Sequence, residues 1–148
     1  MIKYQLLVYG DPKAQPRPRA FARKMGNKYV ARVYDADTAD AWKQSVVAKC
    51  RELSSAPDHH YPRSLVKVEI AFYFPRPKSH LLSDGKLKLK APSAHTQKPD
   101  LDNLAKAVLD AITDSQRFWV DDSQIVSLRL TKQWTTGRPG CAIEIQML

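Results

Sequence analysis

The sequence predicts an α+β fold, a two-layer sandwich of helices packed on a mixed sheet, on three observations. Four segments alternate apolar and polar residues, two repeat apolar residues at helical spacing, and they follow one another as β-α-β-α-β-β. The last two strands are expected to be joined as a hairpin. At 148 residues and 43% hydrophobic, the chain is long enough to bury a core without disulfides. One domain over residues 1–148 is expected.

Ile2, Tyr4, Leu6 and Val8 alternate with more polar neighbours and predict a first strand ending at Gly10. Residues 11–33 read as a Pro-interrupted basic segment, with no acid between Asp11 and Asp35. A helix is expected from Asp37 or Thr38, with Asp40 in its first turn complementing the helix dipole. Trp42, Val46, Cys50 and Leu53 recur at helical spacing and should face the core. A connecting loop, Ser54 to Arg63, follows.

Val66, Val68, Ile70, Phe72 and Phe74 form the second strand, which Pro75-Arg76-Pro77 stops. A long polar stretch then runs to Lys98, carrying Arg76, Lys78, Lys86, Lys88 and Lys90 against one acid, Asp84. The second helix places Leu101, Leu104, Ala105, Val108, Leu109 and Ile112 on one face and Asn103, Lys106 and Asp110 on the other. Val126, Leu128 and Leu130 begin the third strand. Thr135 to Gly140 turns, and Cys141, Ile143, Ile145 and Met147 make the fourth.

Cys50 and Cys141 lie far apart in apolar patterns and are expected as small core residues in a reducing compartment. No signal peptide is visible, and no apolar run approaches the roughly 20 residues a membrane span needs. A soluble, cytoplasmic protein that does not engage a membrane is expected. Lys and Arg number 24 against 15 Asp and Glu, a formal net charge of +9, which suits a polyanion such as nucleic acid.

Against that positive balance, acids cluster in Lys98-Pro99-Asp100-Leu101-Asp102-Asn103 and in Trp119-Val120-Asp121-Asp122. Two carboxylates about 4 Å apart repel by roughly 4 kcal/mol at an effective dielectric near 20, so Asp100 and Asp102 need compensation. One answer is structural: Asp100 caps the helix and Asp102 complements its dipole. The other is a hard cation that also meets a phosphate. Lys106, one turn beyond Asp102, either pairs with it or contacts a scissile phosphate or attacking water. Successive residues at a strand start point to opposite sides, so one of Asp121 and Asp122 should face such a site. Phe118 and Trp119 are expected as core anchors rather than base stackers.

Oxygen donors suit Mg²⁺, with Mn²⁺ as the alternative ion; two or three Asp side chains suffice because Mg²⁺ retains several waters. Zinc is disfavoured, since His59, His60, His80 and His95 lie in loops without zinc-ligand spacing.

The run Lys98-Pro-Asp-Leu-Asp-Asn-Leu-Ala-Lys-Ala-Val-Leu-Asp-Ala-Ile112, followed by Phe118-Trp-Val-Asp-Asp-Ser-Gln124, resembles the signature of the RusA family of Holliday junction resolvases. The shared core covers roughly Leu65 to the C-terminus. The opening Val8-Tyr-Gly-Asp-Pro-Lys with Pro16-Arg-Pro-Arg19, and Tyr34-Asp35 and Trp42 after it, looks like the longer version of phage and prophage members. The resemblance implies a Mg²⁺-dependent, homodimeric endonuclease that nicks four-way DNA junctions in paired, symmetric cuts, with roles in recombination and repair. By the same resemblance the metal-binding carboxylates fall on Asp100, Asp102 and Asp122, and the catalytic lysine on Lys106.

A C2 dimer would match the two equivalent strands of a junction. Arg17, Arg19, Arg23 and Lys24, together with Lys86, Lys88 and Lys90, are expected to contact DNA phosphates; the other use of such a run is as a solvated surface. Two further functions remain open: a non-catalytic protein that binds branched DNA, and a nuclease for forks or flaps.

Overall fold

The computed structural model describes residues 2–16, 18–35, 39–53 and 63–148, and for 18–23, 25 and 29–35 the backbone alone. The elements run β1 (Ile2–Tyr9), β2 (Pro18–Met25), β3 (Lys28–Asp35), α1 (Asp40–Leu53), β4 (Val66–Pro75), α2 (Leu101–Ser115), β5 (Ile125–Thr135) and β6 (Gly140–Met147).

Four strands form the main sheet in the order β1-β6-β4-β5. β6 runs antiparallel to both β1 and β4, whereas β4 and β5 are parallel, so the sheet is mixed as expected. β5 and β6 follow one another through residues 136–139 and run in opposite directions, with β4 standing between them. At that turn Gly140 has φ 157, and an added Cβ would collide with the backbone of Val8 and Tyr9. Only glycine lets β6 leave the turn this close to β1.

The register puts Leu6 and Ile70 opposite Ile143, and Val8 and Phe72 opposite Cys141. Period two thus collects the buried residues on one face of the sheet, where the helices close the core. α1 contributes Trp42, Val46 and Cys50; α2 contributes Leu104, Val108, Ala111 and Ile112. Each fully buried aliphatic or aromatic side chain stabilises the fold by about 1.5–3 kcal/mol relative to exposure. Phe118 and Trp119 are core, as expected, and the Trp119 Nε1–H donates to Thr113 Oγ1 at 2.7 Å.

Both cysteines are buried and free, and burial pushes the thiols up to about 11 for Cys50 and about 12 for Cys141. They are inert core residues. No helix among the described residues is long and apolar enough to cross a membrane.

The structure corrects the sequence reading in three places. Residues 18–35, most of which fall in the 11–33 segment read only as Pro-interrupted and basic, form an antiparallel two-stranded ribbon separate from the main sheet. Its two-residue turn is Gly26-Asn27, with Gly26 at φ 64, as a type II′ hairpin turn requires. Leu53, expected in the core, is 45% exposed at the last position of α1. The stretch after β4 is also ordered. It holds a 3-10 turn, Lys78–His80, then a tight loop closed by a Leu81–Leu87 bridge, where the Lys86 N–H donates to Asp84 Oδ1 at 3.0 Å. Asp37, Thr38 and residues 54–62 fall outside the described residues; α1 is seen from Asp40.

Candidate active site

Pro99 and Asp100 set the start of α2. Asp100 has extended backbone at φ −72 and ψ 148, and its carbonyl accepts the first helical bond, from Leu104 N at 3.0 Å. It therefore occupies the cap position. Its carboxylate, however, makes no capping hydrogen bond. Asp102 is exposed in the first turn and Lys106 is exposed one turn later. No salt bridge among the described residues involves Asp100, Asp102 or Lys106. Neither a side-chain cap at Asp100 nor an i,i+4 ion pair at Lys106 is adopted, whereas Asp102 does stand in the first turn, where it complements the helix dipole.

The second acidic cluster divides cleanly. A 3-10 turn spans Asp122–Gln124, and the Gln124 Oε1 accepts from the backbone N–H groups of Val120 at 2.8 Å and Asp121 at 3.3 Å. Gln124 Nε2 donates to the Ser64 carbonyl at 3.0 Å, which ties the turn to the start of β4. Ser123 Oγ donates to Asp121 Oδ2 at 2.9 Å. Asp121 is thus engaged by its own turn. That hydroxyl, followed by a hydrogen bond with Asp122, holds the Asp121 carboxyl below its ordinary range.

Asp122 keeps that hydrogen bond to Asp121 and also feels the charges of α2. Although Asp122 is exposed, desolvation by its surroundings raises its carboxyl above the ordinary range, aided by the hydrogen bond and charge of Asp121 and the charge of Asp110; Lys106 opposes them. Asp122 thus lies within the electrostatic reach of Lys106 and also of Asp110, which the sequence placed on the polar face of α2 without a role. Asp102, Lys106 and Asp110 recur every four residues and form one ladder along the helix.

The donor set fits a hard divalent cation: oxygen only, exposed, and without ion pairs in the fold. What the described residues do not present is a closed cluster, since no three His, Cys, Asp or Glu side chains among them are grouped to hold an ion. Asp100 and Asp102 sit at one end of the ladder and Asp122 farther along it. Beside Asp100 is an open hollow of about 490 Å³ lined by Ala14, Lys98, Pro99, Asp100 and Asn103. A slightly larger hollow of about 520 Å³ lies on the helix-free face of the sheet, around Leu7, Glu69, Ala71 and Arg129, and contains none of the predicted catalytic residues.

Of the expected phosphate contacts, Lys24, Lys86, Lys88 and Lys90 are exposed. Arg19 and Arg23 lie on β2, in register with Tyr34 and Val30, and Arg17 is outside the described residues. The Gln15 N–H donates to the Asn103 carbonyl at 3.0 Å, tying the chain to the first turn of α2 shortly before the ribbon begins.

A further residue, Lys132 on β5, had no place in the sequence reading. Its Nζ donates to the carbonyls of Gln97 at 2.5 Å and Pro99 at 2.8 Å. Next to it His95 is buried between Phe74, at 4.2 Å between ring centroids, and Trp134, at 4.3 Å. Burial, and secondarily the Lys132 charge, pushes this imidazole below its ordinary range. The available signal for Lys132 was its phase: it falls on the alternation of Leu128, Leu130 and Trp134, where a cation needs a partner.

An α+β fold with uncapped carboxylates at a helix start, on a chain of net charge +9, is compatible with a protein that acts on a polyanion. The sequence profile of the endodeoxyribonuclease RusA family matches residues 10–146, and the chain belongs to that family of nucleases. It is 34% identical over 134 residues to the uncharacterized protein YqaN of Bacillus subtilis, covering 84% of this chain and 83% of that one. It is 39% identical over 51 residues to the crossover junction endodeoxyribonuclease RusA of Escherichia coli, and likewise to that of Enterobacteria phage 82. These shorter matches cover 34% of this chain and 42% of each relative.

Proposed function

We propose that this chain is a Mg²⁺-dependent endonuclease that resolves four-way DNA junctions, acting as a cytoplasmic homodimer that makes paired, symmetric nicks. Residues 1–148 would form one endonuclease domain. The observation that carries the reading is the set of carboxylates at the start of α2, which the fold neither caps nor pairs, on a chain of net charge +9. Adjacent like charges are tolerated where solvent, helix-terminal N–H groups or a cation compensate them, and a bound cation is the compensation this reading adds.

Asp100, Asp102 and Asp122 would hold the ion, with Mn²⁺ able to replace Mg²⁺. As the side chains stand they are not grouped around an ion, so Asp122 must approach the other two when the ion binds; all three are exposed, and none forms a salt bridge among the described residues. A bound divalent ion would polarise the scissile phosphate and supply the nucleophile at neutral pH. Lys106, within the field of Asp122, offers its ammonium to the phosphate or orients the attacking water. Arg17, Arg19, Arg23 and Lys24 would hold the DNA backbone from the ribbon, and Lys86, Lys88 and Lys90 from the loop. The Gln15–Asn103 bond supports this by anchoring the chain that leads to the ribbon at the site itself.

The direct test compares a synthetic four-way junction, a fork and a linear duplex with and without Mg²⁺. Junction-selective, Mg²⁺-dependent cleavage is expected. Junction binding without nicking would favour an architectural protein, and preferential cutting of the fork a different nuclease. Light scattering of the free and DNA-bound protein checks the dimer.

A further inference from the structure

We propose that Lys132 is a positioning residue for the carboxylate site, its ammonium fastening the backbone from which Asp100 departs. The inference rests on the site assigned above and extends it to a residue that touches neither DNA nor ion.

β5 is the edge strand of the main sheet, and its outer side is covered by the segment Ser93–Pro99. Trp134 N–H donates to the Ser93 carbonyl at 3.0 Å, His95 N–H donates to the Lys132 carbonyl at 3.4 Å, and Ala94 bridges Gln133 in antiparallel register. The segment is thus a strap laid along β5. The His95 ring, buried between Phe74 and Trp134, anchors its middle. Beyond His95 backbone pairing with the strand ends, and Lys132 takes over: one ammonium bonds the carbonyls of Gln97 and Pro99.

The Pro99 carbonyl belongs to the peptide bond that continues as the Asp100 nitrogen. Because the Asp100 carboxylate has no capping bond, nothing on its own side chain aims it. Its direction is inherited from the backbone, and Lys132 holds that backbone on the near side while the α2 hydrogen bonds hold it on the far side. A cation serves here without competing for the site. Its donors go to carbonyls and it forms no salt bridge among the described residues, so the carboxylates stay available. An aliphatic side chain would leave both carbonyls without this donor.

The test uses full-length K132M, which keeps the aliphatic stem and removes the ammonium. In metal-free protein, amide hydrogen exchange across 95–100 should accelerate by about tenfold, with the core of β4 and β6 unchanged. Mn²⁺ binding followed by calorimetry should weaken by roughly tenfold, the range in which residues that orient metal ligands act. In cleavage, the Mg²⁺ concentration for half-maximal rate should rise, while the rate at saturating Mg²⁺ stays near wild type. Should K132M fail to fold, K132Q carries the same measurements with a smaller loss, about threefold. Wild-type Mn²⁺ affinity in the folded variant overturns the proposal, as does a lower maximal rate at unchanged Mg²⁺ dependence. A wild-type protein that binds no Mn²⁺ would instead remove the site on which the proposal rests, and Lys132 would then be only an anchor of the strap.

Discussion

The two helices lie on the same face of one sheet and are nearly equal in length, 14 residues in α1 and 15 in α2, yet they treat their charges in opposite ways. On α1, Lys49 and Glu52 pair at 3.5 Å on the exposed side, an ordinary i,i+3 contact of a solvated helix. On α2, Asp102, Lys106 and Asp110 stand at the spacing that favours pairing and form no salt bridge among the described residues. Electrostatics that would help the fold are left unused where an ion and a phosphate are expected. The contrast is what the proposed site predicts, with charges on α1 serving solubility and charges on α2 left for a ligand.

Substitution at the α2 start should give the largest effect. Asp100→Asn or Asp102→Asn should lower Mg²⁺-dependent junction cleavage by three orders of magnitude or more, on the order of 4 kcal/mol of barrier. Junction affinity by gel shift should be kept, since a negative charge has been removed. Glu52→Gln on α1 should change neither cleavage nor stability by more than about 0.5 kcal/mol. Equal effects at the two helices would erase the distinction.

Next in size comes the basic surface. Reversing Lys86, Lys88 and Lys90 to Glu should weaken junction binding and flatten its salt dependence, the slope falling by about 0.9 for each phosphate no longer neutralised. Fluorescence anisotropy at several salt concentrations measures both. An unchanged slope would assign these lysines to solvent alone.

A smaller effect concerns Asp122. Its carboxyl is held above the ordinary range, so the folded state binds this proton more tightly than the unfolded chain. Ionising it therefore opposes folding: its contribution is present at low pH and lost as pH rises through the folded pKa. Asp122→Asn should have a thermal midpoint at pH 7 no lower than wild type, with any gain vanishing as the solution is acidified below the carboxylate range. A midpoint that falls at pH 7 would mean that Asp122 serves the fold rather than a ligand.

Much of this was legible in the sequence because it is local. Period two in Val66–Phe74 and the i, i+3, i+4 pattern from Leu101 to Ile112 gave the strand and helix that frame the site. The separation of Asp121 from Asp122 was foreseeable from alternation, though only the Ser123 and Gln124 bonds show which residue the turn retains. The ribbon β2–β3 was missed because its residues follow no core-facing apolar alternation; the Gly26-Asn27 turn was its signal. Insertion of β4 between β5 and β6 is a matter of long-range register, invisible to local patterns. The strap has no periodicity either, since backbone groups, one histidine and Lys132 hold it.

At the centre stands the proposal that Asp100, Asp102 and Asp122 converge on one divalent ion. The most direct measurement is a crystal structure grown with Mn²⁺ and phased to show its anomalous signal. A single peak within bonding distance of all three carboxylates is the predicted result. A peak held by Asp110 and Asp122 without Asp100 and Asp102, or no peak at the start of α2, would contradict it.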